Sequence, residues 1–146
     1  MCIRDSDEQM RRWEAILGDA LEGTQEDALK LYFKHLKANL QFPCEVTGIE
    51  DFQWEERYVV GGWSQDEYKL LKKTQPSYTD KYDLLDIEQG EYSVWKMFDE
   101  DIAAVVRRKS DGKEFDLGLA EICATDKKSP NFQLIHDYAV WLVNNR

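Results

Sequence analysis

Apolar side chains recur at intervals of three and four residues in three parts of the chain, and this spacing predicts three amphipathic helices. The first covers residues 7–22 and is followed by Gly23, a residue that commonly ends helices. The second begins at Thr24, a good N-cap, and ends before Pro43. The third begins at Ser129–Pro130, with serine as the cap and proline in the first turn. The first two helices should form an antiparallel hairpin.

Between the second and third helices the pattern changes to one that predicts strands. Residues 44–48 alternate between apolar and polar side chains, and Tyr58–Val60 and residues 81–88 predict two further strands. Ser64–Glu67 is a capping box that predicts a short helix over residues 65–73. Residues 102–108 and 114–119 predict a β-hairpin with its turn at Asp111–Gly112, and residues 120–125 continue the sheet.

This order of elements predicts an α+β fold with an N-terminal helical hairpin, a small antiparallel sheet or barrel, and a C-terminal helix. A length of 146 residues suits a single domain, which we place at residues 7–146. Residues 1–6 resemble the translation of a sequencing adapter, so they are left out of the argument about fold and function.

The negative charge of the chain is concentrated in two stretches. Residues 45–67 carry a net charge of −6 and residues 86–101 carry −5, whereas the whole chain carries −10. Such patches attract cations or basic partners, although charged faces of this kind also serve only to keep a domain soluble.

Several classes of function are disfavoured by what the sequence lacks. It contains no nucleotide-binding or nucleophile motif, and its two histidines, His35 and His136, form no dyad with a neighbour, so we expect no enzyme. We also expect no nucleic-acid binding, because an acidic chain repels phosphate, and no membrane span. Three cysteines without a framework, and no secretory signal, predict a cytoplasmic protein.

Calcium is the metal that the acidic stretches suit best, because Ca²⁺ prefers six to eight oxygen ligands. The sequence that begins at Asp99 does not match a 12-residue EF-hand loop, since Ala104 stands where that loop needs glycine and Ser110 where it needs glutamate. Consecutive side chains cannot all converge on one ion, so we expect both stretches to contribute ligands. The candidate ligands are Asp51, Glu55, Glu56, Asp99, Glu100 and Asp101.

Two segments of the sequence carry a family resemblance. From Leu36 to Val46 a helix is followed by the aromatic–proline step Phe42–Pro43 into a strand. The end of the chain carries Gly118-Leu-Ala-Glu121, Asp126, Ser129-Pro-Asn131 and Asp137-Tyr138-Ala-Val-Trp141. This arrangement resembles the bacterial calcium-binding protein family typified by the cyanobacterial calcium-buffering protein (CcbP-like). The resemblance implies a small acidic protein that binds Ca²⁺ through carboxylates not arranged as an EF-hand.

Two functions therefore remain open on the sequence. The first is a non-enzymatic calcium buffer or sensor. The second is a protein-interaction module that presents its acidic patches to a basic partner.

Overall fold

The structure is a computed structural model that describes residues 7–19, 23–89, 93–98 and 100–144. Three long helices occupy the predicted places: α1 (Asp7–Leu17), α2 (Gln25–Asn39) and α5 (Pro130–Asn144). The Thr24 hydroxyl accepts a hydrogen bond from the Asp27 N–H at 3.2 Å, as expected of an N-cap. The adapter-like residues 1–6 and the predicted helical residues 20–22 lie outside the described residues.

Five strands form one antiparallel sheet: β1 (Cys44–Gly48), β2 (Lys81–Glu88), β3 (Ala103–Arg108), β4 (Glu114–Gly118) and β5 (Ile122–Ala124). Their spatial order is β4-β3-β2-β1-β5. The chain therefore crosses from one edge of the sheet to the other between β4 and β5, through a 3-10 turn at Leu119–Glu121. Of the predicted alternatives the sheet is confirmed, and it is not closed into a barrel because β4 and β5 remain its edges.

The strand predicted at Tyr58–Val60 is wrong, because this segment is helical. A 3-10 turn at Gln53–Glu55 leads into α3 (Glu56–Val59), and α4 (Gln65–Leu71) follows. The Glu55 side chain accepts the Phe52 N–H and so starts the helical turn, which overrides the β-propensity of two valines. Ser64 is the N-cap of α4, its hydroxyl accepting the Glu67 N–H at 3.3 Å, which is one half of the predicted capping box.

One hydrophobic cluster joins the three long helices to the sheet. At its centre the Tyr32 ring of α2 lies 5.3 Å from the rings of both Tyr138 and Trp141 on α5. Trp13 of α1 donates its indole N–H to the Asp137 carbonyl at 3.1 Å. None of the helices in the described residues is long and apolar enough to cross a membrane.

The β3–β4 hairpin is fixed to the rest of the molecule by Arg108, which is only 2% exposed. Its guanidinium binds the carboxylates of Asp80 and Asp111 at 3.0 and 2.7 Å. It also donates to three backbone carbonyls just after α4: Lys72, Lys73 and Gln75. Gly112 has a φ of +75°, as the predicted tight turn requires.

Candidate functional site

The six candidate ligands occupy very different environments. Glu56 and Glu100 are exposed, and Asp51 is half-buried. Glu55 and Asp101 are almost completely buried, and Asp99 lies outside the described residues. The two buried carboxylates are the informative members, because burying a carboxylate is costly unless its oxygens are bound.

Glu55 is bound by groups of its own neighbourhood. One carboxylate oxygen accepts the hydroxyls of Tyr68 and Ser77 at 2.5 and 2.7 Å. The other accepts the backbone N–H groups of Tyr78 and Phe52 at 2.8 and 3.3 Å. These four donors hold α3, α4 and the loop before β2 together, so the structure gives Glu55 a place in the packing of this region.

The two acidic stretches do lie against each other in the structure. Residues of the first stretch, including Phe52, Trp54 and Arg57, form one wall of a cavity of about 240 Å³. Val94 and Trp95, which lie within the second stretch before Asp99–Asp101, form the other wall. Residues of both stretches therefore border one cavity, but the groups that line it are mainly aromatic and include a cation, and none of the candidate ligands that the structure describes is among them.

Asp101 lies at the point where the second stretch meets the 3-10 turn and α5. Its carboxylate accepts the Tyr138 hydroxyl at 2.6 Å and the Ala120 N–H at 3.0 Å. The Tyr138 oxygen in turn accepts the Ile102 N–H at 3.0 Å. The buried Lys96 donates its ammonium to the backbone carbonyl of Asp101 at 2.9 Å. This residue is therefore held rigidly by three parts of the chain.

A second carboxylate, that of Glu121, lies beside Asp101. A Cβ built on Gly118 would come within 2.5 Å of both Asp101 Oδ2 and Glu121 Oε2, so these oxygens are less than about 5 Å apart. Glu121 Oε2 also accepts the Met97 N–H at 3.1 Å. Glycine is required at position 118 for space rather than for an unusual φ, which is −72°. The missing side chain leaves a cradle that both carboxylates face.

The environment makes this pair reluctant to carry two negative charges. Burial, together with the neighbouring charge of Glu121, raises the pKa of Asp101 to about 7, against the hydrogen bonds from Tyr138 and Ala120 that lower it. Burial also raises the pKa of Glu121 to about 6. A cation placed between the two groups would relieve this repulsion and favour their ionised forms.

The pair fits a hard cation in part. Ca²⁺–oxygen distances of about 2.3–2.6 Å allow one ion to bind two oxygens that are less than about 5 Å apart. Within the described ranges, however, no three carboxylate, histidine or cysteine side chains lie close enough together to hold a metal ion. Further oxygens would have to come from backbone carbonyls, water or the acidic residues that precede Asp101 in the chain.

Glu121 is the residue that the candidate ligand set missed. It is separated from Asp101 by the whole β3–β4 hairpin, and the pairing of Ala103 with Gly118 brings the two ends of that hairpin together. The Gly118-Leu-Ala-Glu121 segment already contributed to the family resemblance. A glycine three residues before a glutamate was the available signal, since it leaves room for the carboxylate to fold back.

No protein-family model matches this chain, and a comparison with curated proteins also gives no match. Two solved structures are similar in fold. One is the crystal structure of Anabaena CcbP, with 19% identity, 97% of this chain and 95% of that chain covered, and a TM-score of 0.60. The other is described as a calcium-binding protein in the calcium-binding form, with 16% identity, 99% and 96% covered, and a TM-score of 0.59. At this identity the likeness shows that the chain shares their fold, as the sequence resemblance implied.

Proposed function

We propose that this protein binds Ca²⁺, with the carboxylates of Asp101 and Glu121 at the centre of the site. The observation that carries the proposal is the buried pair of carboxylates facing the cradle at Gly118. The solved structures with the same fold include one named as a calcium-binding protein, which supports the same ion.

The remaining ligands in this proposal come from the acidic loops that meet at the pair. Asp99 and Glu100 directly precede Asp101 in the chain. Asp51 lies two residues after Ile49, whose N–H donates to the Glu121 carbonyl at 3.0 Å. Of the first acidic stretch, Asp51 is therefore the best-placed candidate. Glu56 remains a candidate because it is exposed, and Glu55 is the weakest because both its oxygens already accept hydrogen bonds.

Calorimetric titration of metal-free protein with Ca²⁺ tests the proposal. We expect saturable binding that persists in excess Mg²⁺, because Mg²⁺ demands a tighter octahedral site and gives up its water reluctantly. Saturating Ca²⁺ should also raise the melting temperature. At about 100 times the dissociation constant a ligand specific to the folded state stabilises it by about 2.7 kcal/mol.

A pair of matched variants locates the site. The double variant Asp101→Asn with Glu121→Gln removes two charges while nearly preserving shape. It should lower Ca²⁺ affinity at least tenfold, which corresponds to about 1.4 kcal/mol of binding free energy. Glu88→Gln with Glu114→Gln removes two charges from exposed positions at strand ends and should change the affinity less than about twofold. If both double variants lowered Ca²⁺ affinity equally, the ion would be attracted only by the net charge of the protein, and the proposed site would be wrong.

We place this activity in a bacterial, cytoplasmic and non-enzymatic protein that serves as a calcium buffer or sensor. A buffer binds the ion with little change of shape, whereas a sensor exposes a new surface. Hydrogen exchange with and without Ca²⁺ separates the two roles, because only a sensor should show altered protection far from Asp101.

An interaction module for a basic protein is the second candidate, and exposed apolar side chains beside acids favour it. Val60 is 74% exposed and Trp63 is 51% exposed, and they follow Glu56 and precede Asp66 and Glu67. A lysine-rich amphipathic peptide should then quench the fluorescence of Trp63, and Trp63→Phe should remove that signal. If peptide binding is lost at moderate salt and is unchanged by Val60→Ser, the attraction is nonspecific and the interaction module is contradicted.

A further inference from the structure

Residues 93–98, which lead to Asp101, bury a charged side chain and expose two apolar ones. Lys96 is only 5% exposed, whereas its neighbours Val94 and Met97 are 66% and 48% exposed. The opposite arrangement is usual, because lysine is almost never fully buried unless it is paired. Lys96 is also the only basic residue among residues 86–101, which carry six carboxylates. Its burial therefore indicates an interaction inside the molecule that offsets the cost of removing its charge from water.

The ammonium of Lys96 lies beside Asp101. It donates a hydrogen bond of 2.9 Å to the backbone carbonyl of that residue. The bond lengths within one residue then place the ammonium within about 8 Å of the Asp101 carboxylate. Burial raises the pKa of this carboxyl, and the positive charge of Lys96 opposes the rise. The two opposite charges therefore interact inside the protein, where water screens them weakly.

The residue after Lys96 contacts the other carboxylate of the pair. The Met97 N–H donates to Glu121 Oε2 at 3.1 Å, so two consecutive residues bind Asp101 and Glu121. The position of the ammonium relative to both carboxylates is thus set by the backbone of this short segment. One segment therefore gives the pair a cation and an N–H group, which supply part of the positive charge that a metal ion would bring.

We propose that Lys96 is a built-in counter-cation of the Asp101–Glu121 pair that opposes Ca²⁺ and so sets the calcium affinity of this site. The inference rests on the proposed function for the identity of the ion. Without calcium, the ammonium offsets part of the negative charge of the pair and stabilises the fold. When calcium arrives, the same ammonium repels it. At a separation of about 8 Å this repulsion weakens binding about fivefold even at the dielectric constant of water, and more in the protein interior.

A lysine that only positions Asp101 would have the opposite effect on calcium. Its loss would leave the Asp101 carbonyl without this donor and loosen the carboxylate, so the ion would bind more weakly. The sign of the change in affinity therefore separates the two roles of Lys96.

Calorimetric titration with Ca²⁺ at about pH 8.5 measures this sign. Protonation of the pair contributes little there, because the pKa values of Asp101 and Glu121 are about 7 and about 6. Lys96→Met removes the charge and nearly keeps the length of the side chain, so it should bind Ca²⁺ at least about fivefold more tightly than wild type. Lys96→Gln is also uncharged and retains an N–H donor, so it should raise the affinity even if Lys96→Met does not fold.

Two variants serve as matched controls for the titration. Lys96→Arg keeps the charge and should stay within about threefold of the wild-type affinity. Lys69→Met removes an exposed cation from α4 and should change the affinity less than about twofold. Unchanged or weaker Ca²⁺ binding by the uncharged variants of Lys96 would overturn the inference.

Thermal unfolding in EDTA at the same pH tests the counter-cation without calcium, and so separates it from the proposed function. Lys96→Met should lower the melting temperature, and the decrease should shrink by at least about half when Asp101→Asn has already removed the negative charge. An equal decrease in both backgrounds would show that Lys96 does not offset the charge of Asp101. Wild-type protein that binds no Ca²⁺ would refute the proposed function and the effect on calcium, whereas the charge pairing would still stand or fall on this comparison.

Discussion

The hydroxyl of Tyr138 donates a hydrogen bond of 2.6 Å to the carboxylate of Asp101, across 37 residues of chain. The same oxygen accepts the Ile102 N–H, so one tyrosine on α5 fixes both a carboxylate and the start of β3. Each carboxylate oxygen of Asp101 thus has a defined orientation before any ion arrives. Preorganisation of this kind lowers the cost of binding, because little freedom is left to lose.

The first prediction concerns the pH dependence of stability. Because the pKa of Asp101 rises from 3.8 in the unfolded chain to about 7 in the folded protein, the folded state binds more protons between these pH values. The contribution of Asp101 to the free energy of unfolding should therefore be largest below about pH 4. It should fall as pH rises toward 7, by up to about 1.4 kcal/mol per pH unit. Urea denaturation at several pH values measures it.

Asp101→Asn provides the comparison for this pH series. The difference in stability between wild type and variant should shift in favour of the variant as pH rises from 4 to 7. Glu121→Gln should act in the same direction over the narrower range from 4.5 to about 6. A difference that stays constant with pH would show that Asp101 titrates normally.

The second prediction concerns the cradle at Gly118. Gly118→Ala places a methyl group against both carboxylates, so it should destabilise the fold by about 1–3 kcal/mol and weaken Ca²⁺ binding. Thermal unfolding and calcium titration measure the two effects. Adding Glu121→Ala should recover part of the lost stability but none of the affinity. Simple additivity of the two stability changes would mean that position 118 does not contact Glu121.

The third prediction separates structural from metal-binding carboxylates. Glu55→Gln replaces an acceptor oxygen with a donor amide facing Tyr68, Ser77 or Tyr78, and should cost about 1–3 kcal/mol of stability. Calcium affinity measured well below the melting temperature should stay within about twofold of wild type. A large loss of affinity in a folded Glu55→Gln protein would restore Glu55 as a ligand.

The fourth prediction concerns Arg108. Arg108→Met removes the donor to three carbonyls and two carboxylates in a buried site, and should cost about 3–5 kcal/mol. Its exposed neighbour Arg107 is the matched control, and Arg107→Met should change stability by less than about 0.5 kcal/mol. Chemical denaturation of both variants measures their free energies of unfolding. Equal values for the two variants would show that Arg108 does not anchor the hairpin.

Elements governed by nearby residues were predictable from the sequence. The β3–β4 hairpin needed only a glycine at 112 and flanking apolar residues, and α2 needed only its Thr24 cap and stripe. The strand predicted at Tyr58–Val60 was wrong because the helical turn there depends on Glu55. The carboxylate oxygens of Glu55 accept hydrogen bonds from Tyr68 and from the loop before β2. That information lies in tertiary contacts and not in the local pattern.

The same distinction explains the candidate site. Asp101 was found because it stands in a stretch of acidic residues that the sequence makes obvious. Glu121 was missed because its neighbours in sequence are apolar and its partnership with Asp101 arises from strand register. Charge density along the chain therefore pointed to Asp101, whereas its pairing with the distant carboxylate of Glu121 could be seen only in the fold.

The position of β5 has a consequence for how the protein is made. The strand at residues 44–48 pairs with residues 122–124, and Arg12 and Trp13 bind Asp137. A ribosome must therefore synthesise the chain through β5 and α5 before the sheet and the helical layer can close. Until then the apolar faces of Tyr32 and Leu36 emerge without their partners from α5. We expect folding to follow translation rather than accompany it, with the nascent chain dependent on chaperones during that interval.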